Sequence, residues 1–76
     1  MSYSIEIDLH GRTVEEARAM LSETLKKLPK GVREISVVHG YRGGTALREM
    51  VRKYSHPKIE RKILTLNQGI TILIIK

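Results

Sequence analysis

The sequence predicts a small α/β domain, a two-layer sandwich of order β-α-β-α-β-β with a four-stranded mixed sheet and two helices on one face. Three observations predict it. Two apolar stretches, Ile5-Glu6-Ile7-Asp8-Leu9 and Ile35-Ser36-Val37-Val38, each run into a His-Gly pair and then into a helical pattern. A strand, crossover helix and second strand are almost always joined right-handedly, which leaves the two strands parallel. The chain then closes with two apolar runs around Asn67-Gln68-Gly69, the pattern of an antiparallel hairpin.

Taken in order, Ser4 to Leu9 alternates, with Ile5, Ile7 and Leu9 on one face and Glu6, Asp8 and His10 on the other. Thr13 followed by Glu16 is a capping box, and Val14, Ala17, Leu21, Leu25 and Leu28 recur at helical spacing, so the first helix is expected over 14–28. Pro29 and Gly31 stop it, and Glu34 to Val38 is the second strand. The second helix is expected over 45–54, burying Leu47, Met50, Val51 and Tyr54. Its start has no acid and meets Arg48, whereas the first helix carries Glu15 and Glu16 in its first turn. His56-Pro57 breaks the second helix, and His56 reads as a plain loop residue. The strand from Ile59 to Leu66 loses its alternation at Ile63-Leu64, where a bulge or a late strand start is expected. Ile70 to Ile75 is apolar on both faces and belongs inside the sheet; if the helices cover only one face, one of its two rows, Thr71-Leu73-Ile75 or Ile70-Ile72-Ile74, needs cover on the other. That row offers a surface for a partner or a weak homodimer through the sheet face.

With 76 residues the chain is one domain over 1–76, close to the smallest that a single core stabilises unaided. It has no cysteine, which excludes a disulfide framework and a thiolate zinc site and fits a reducing, cytoplasmic setting. Met1-Ser2-Tyr3 lacks the features of a signal peptide, and the run Ile70–Ile75 is too short to cross a bilayer, so no membrane role is expected. Net charge is +6, and its distribution says more than its total. Residues 1–38 carry six basic and six acidic side chains, and residues 39–76 carry eight and two, so the whole excess lies from His39 onward. That asymmetry points to a face for a polyanion.

The chemistry concentrates in two loops, His10-Gly11-Arg12-Thr13 and His39-Gly40-Tyr41-Arg42-Gly43-Gly44-Thr45. Parallel strands bring both to one edge of the sheet, where ligands of open α/β folds collect. Gly40, Gly43 and Gly44 let backbone N–H groups converge, and the second helix aims its positive end at the same place, a cradle for phosphate. Arg42, Arg48 and Arg52 are the candidate phosphate contacts, joined by Arg12, and Tyr41 is placed to stack on a base or sugar. His10 and His39 supply a general acid and base near neutral pH. Asp8 either takes part in that chemistry or fixes the His-Gly loop by accepting its N–H groups. Strand parity gives His39 a rival reading, a buried hydrogen-bonded ring on the helix-covered side with Ile35 and Val37. A divalent metal, Mg or Mn, held by Asp8 and His10 ranks below metal-free acid–base chemistry, because two ligands make a poor site.

Ile7-Asp8-Leu9-His10 resembles the Leu-Asp-Leu-His motif of the Smr (small MutS-related) domain, and His39-Gly40-Tyr41-Arg42-Gly43-Gly44 resembles its central glycine motif, with Arg42 where the compact form has glycine. The resemblance covers nearly the whole chain. It implies a βαβαββ sandwich like the C-terminal domain of translation initiation factor three, with the last strand inside the sheet. It also implies binding to DNA or RNA and, in some members, endonuclease activity, with links to recombination, DNA repair and ribosome quality control.

The expected function is therefore nucleic-acid binding through the sugar-phosphate backbone, extended to cleavage by Asp8, His10 and His39. Gly11, Arg12, Gly40, Tyr41, Arg42, Gly43, Gly44, Thr45, Arg48 and Arg52 form the binding set. A non-catalytic RNA- or ribosome-associated module and a protein-interaction domain are the alternatives. Nucleotide hydrolysis fits poorly, since the glycine loop lacks the Gly-Lys-Thr ending of a P-loop, and neither a helix-turn-helix nor a zinc finger can be assembled from this order.

Overall fold

The structure is a computed structural model that describes residues 3–40 and 45–76. Its elements follow the expected order: β1 (Tyr3–Asp8), α1 (Val14–Lys26), β2 (Val32–Val38), α2 (Ala46–Lys53), β3 (Ile59–Leu64) and β4 (Ile70–Ile75). The four strands form one sheet in the order β1-β2-β4-β3, with β1 and β2 parallel and β4 antiparallel to both β2 and β3. β4 is internal, as its two apolar faces require. Thr71, Leu73 and Ile75 turn toward the helices and are buried. Ile70, Ile72 and Ile74 form the row on the helix-free face and are half-buried.

The core lies between the sheet and the two helices. Leu9, just after β1, and Ile35, Val37 and Leu73 from the strands meet Ala17, Leu21 and Leu25 of α1 and Met50 and Val51 of α2, and all are buried. The capping box forms at the start of α1: Glu16 N–H donates to Thr13 Oγ1 at 3.1 Å, and Thr13 N–H donates to Glu16 Oε1 at 3.0 Å. The Thr13 N–H foremost, and the Thr13 hydroxyl after it, hold the Glu16 carboxyl below its ordinary value. α1 stops two residues before the expected Leu28, because the residue preceding Pro29 is disfavoured in helical conformation and Lys27 has already left it, at φ −103° and ψ 21°. Two lysines of the edge strand region tie both helix ends to the sheet. Lys58 Nζ donates to the Leu25 carbonyl at 2.7 Å, and Lys62 Nζ donates to the Arg52 carbonyl at 2.6 Å. Burial pushes the Lys62 ammonium below its ordinary pKa.

The register of β3 corrects one expectation. Its irregularity falls at the beginning, between Ile59 and Arg61, and Ile63 and Leu64 pair regularly with Ile72 and Thr71. With normal alternation, Ile63 joins the helix-free face, and Leu64 points to the helix side near the end of the edge strand, where it remains 57% exposed. Among the described residues, no helix is long and apolar enough to cross a membrane.

Candidate functional site

Three loops meet at one end of the sheet. The parallel strands β1 and β2 both finish there, delivering His10-Gly11 and His39-Gly40. The third loop is the β3–β4 turn, which arrives because β4 is antiparallel to β2 and so begins where β2 ends. The Gly69 carbonyl accepts from both the His39 and Gly40 N–H groups, at 2.8 and 3.0 Å. Sequence reasoning did not place Asn67 or Gly69 at the site. The strand order 1-2-4-3, once drawn, requires it.

An open groove of about 680 Å³ runs between these loops, lined by His10, Gly11, Arg12 and Thr13 from the first, His39 and Gly40 from the second, and Asn67 and Gly69 from the third, with Ala46 and Leu47 of α2. The two His-Gly loops are in contact. A Cβ built on Gly40 would stand 3.5 Å from the Cβ of His10, and Gly40 itself adopts φ +74°, which L side chains rarely take.

Asp8 and His10 form a dyad on the exposed rim. Asp8 Oδ1 accepts from the His10 N–H at 3.0 Å and from the ring Nδ1 at 2.5 Å. One carboxylate oxygen thus fixes both the backbone and the ring of His10, and the ring bond above all holds the Asp8 carboxyl below the usual aspartate value. With Nδ1 protonated toward Asp8, Nε2 carries the free lone pair, and it has no hydrogen-bond partner among the described residues. The His10 side chain is 68% exposed. The Arg12 guanidinium adds a weaker pull on Asp8.

His39 is placed differently. Its ring lies under the helices, 3% exposed, with Nδ1 2.9 Å from the Gly40 carbonyl and Nε2 2.9 Å from Thr71 Oγ1. A carbonyl can only accept, so Nδ1 carries the proton and the Thr71 hydroxyl donates to Nε2. The two imidazoles are neighbours in the chain's layout but face different media, and in this conformation only that of His10 can meet a ligand. The Gly40 amide, expected as part of a phosphate cradle, is bonded to Gly69.

Tyr41, Arg42, Gly43 and Gly44 lie outside the described residues. Thr45 caps α2 without a side-chain hydrogen bond. Because α2 begins at Ala46, Glu49 falls in its first turn, a correction to the acid-free start; it lies 4.0 Å from Arg52. Arg48 and Arg52 line a second groove of about 390 Å³ between α2 and the β3–β4 turn, together with Leu64, Thr65, Asn67, Gln68, Ile70 and Thr71. Arg48 Nε is buried with no hydrogen-bond partner among the described residues. Among the described residues, no three His, Asp or Glu side chains converge as ligands for a cation. Asp8 Oδ1 and His10 Nδ1 are bonded to each other.

The Smr domain family matches residues 7–69, a span that contains both His-Gly loops and the β3–β4 turn. The chain belongs to the Smr domain family. This Smr domain is also similar to a solved relative, the Smr domain of Thermus thermophilus MutS2. The two are 26% identical with a TM-score of 0.82, and the match covers 93% of this chain and 96% of the other. No curated protein matches it. The common architecture accounts for the two helices lying on one face of a mixed sheet whose last strand is internal.

Proposed function

We propose that this Smr domain binds nucleic acid by its sugar-phosphate backbone across the three-loop rim and that His10, oriented by Asp8, is the acid–base group of an endonucleolytic step. The observation that carries this reading is the dyad: a carboxylate holds Nδ1 and leaves Nε2 presented to solvent in a groove that also contains Arg12. Nε2 would take a proton from the water or hydroxyl that attacks phosphorus; the bond from phosphorus to the leaving strand oxygen then breaks, that oxygen takes a proton back from the His10 imidazolium or from solvent, and Arg12 would offset the charge that develops on the phosphate oxygens. His39 is a positioning residue in this reading. It joins the His39-Gly40 loop to β4 through Thr71, and so sets the floor against which His10 packs. Arg48 and Arg52 extend the cationic surface away from the dyad along α2.

The burial of His39 supports a second reading, a binding module without chemistry, since it leaves a single exposed imidazole at the rim. One assay separates the two. Purified protein is incubated with labelled single-stranded RNA, structured RNA and plasmid DNA, with and without EDTA. Cutting that persists in EDTA and disappears in His10→Ala supports the enzyme. Binding without cutting in every condition supports the module.

A further inference from the structure

The groove at the strand ends and the groove beside α2 are adjacent, since Asn67 and Ile70 line both. The β3–β4 turn contributes Asn67 and Gly69 to the first and Thr65, Asn67 and Gln68 to the second. Leu66, immediately before Asn67, has its whole side chain in water, at 104% relative exposure. The turn that carries it is braced. The Thr65 hydroxyl accepts from the Asn67 N–H at 3.1 Å and donates to the Asn67 carbonyl at 2.8 Å, Asn67 Oδ1 accepts from the Gly69 N–H at 2.9 Å, and the Gly69 carbonyl is bonded to two amides of the neighbouring loop. An exposed leucine alone is ordinary. A leucine held on a braced turn whose neighbouring residues line two arginine-bearing grooves is not.

We propose that Leu66 is the specificity-determining residue of this site, an apolar wedge that inserts beside a base where a strand crosses from the Arg12 groove to the Arg48–Arg52 groove, so that unpaired nucleic acid is taken in preference to intact duplex. The inference rests on the nucleic-acid reading above. Backbone phosphates are drawn to Arg12 on one side of the turn and to Arg48 and Arg52 on the other, so the bases between them meet Leu66 where a stacking neighbour would be. An intact duplex has to break stacking and pairing to admit the side chain; an unpaired strand does not.

The test uses oligonucleotides that carry 2-aminopurine either in a continuous duplex or at an unpaired position, each made as DNA and as RNA, titrated with the wild-type chain, Leu66→Ser and Leu66→Met. The wild type is expected to bind the unpaired form about tenfold more tightly than the duplex, with the probe brightening as it unstacks. In Leu66→Ser the two affinities converge and the brightening is lost, whereas Leu66→Met restores both. Thermal melting of each variant shows that the fold is retained. If Leu66→Ser discriminates as well as the wild type, the wedge is overturned while the binding reading stands. If no oligonucleotide binds at low salt, both are overturned.

Discussion

His39 and Thr71 are thirty-two residues apart in the chain and joined by a buried 2.9 Å bond between Nε2 and Oγ1. That bond links the end of β2 to the start of β4 directly beneath the groove, and it gives a buried imidazole its second partner. It explains why a histidine follows the apolar strand β2 without reaching solvent.

Replacing one member of the pair strands the other. His39→Leu leaves the Thr71 hydroxyl unmatched, and Thr71→Val leaves Nε2 unmatched, so each is expected to cost about 1–3 kcal/mol. The double variant should cost less than the sum of the two, because the orphaned group is then absent. Urea unfolding of the four proteins measures the coupling, and strict additivity would contradict it.

Gly40→Ala tests the left-handed backbone of the second His-Gly loop. The left-handed φ of +74° makes alanine strained there even though its Cβ would meet His10 only at 3.5 Å, an ordinary contact. We expect a loss of about 1–2 kcal/mol from backbone strain, read as a lower melting temperature. A variant as stable as the wild type would mean that the loop relaxes to a different backbone.

The dyad has a signature in acid. Because the His10 ring holds the Asp8 carboxyl below 3.8, its ordinary value, the bond favours the folded protein at neutral pH. That stabilisation is present above the unfolded carboxyl pKa and is lost as the pH falls through the lower folded value. Carboxyl carbon NMR should find Asp8 titrating below 3.8 in the wild type and returning toward it in His10→Ala. An Asp8 that titrates identically in both proteins would remove the dyad.

Much of this was legible in the sequence because local and global signals agree. Thr13 and Glu16 announce the α1 cap that forms, and Ile70–Ile75, apolar on both faces, announces an internal strand. Strand parity also put His39 beside Ile35 and Val37, and the buried ring follows that parity, whereas His10 lies beyond β1 where Asp8 can turn it outward. Chain pattern could not supply the third loop. Asn67 and Gly69 join the site through the pairing of β2 with β4, a long-range choice that no local window contains. Ile63-Leu64 reads as a bulge because both side chains are apolar, yet the pair lies at an edge where two faces can both be partly exposed.

The arginines should show in the salt dependence of binding. Each phosphate contact removed lowers the slope of log affinity against log salt by about 0.7–0.9, so Arg48→Ala with Arg52→Ala is expected to flatten it by about 1.4–1.8. Fluorescence anisotropy between low and moderate salt measures this. An unchanged slope would take both side chains out of the interface.

The most direct measurement is an amide chemical-shift map recorded as a single-stranded oligonucleotide is added to isotopically labelled protein. The account predicts that the largest shifts fall on His10 to Thr13, on Asn67 to Ile70 and along the Arg48–Arg52 side of α2, with His10→Ala removing cleavage from the same complex. Shifts concentrated on the helix-free rows of β1 and β4, or on the outer face of α1, would contradict it.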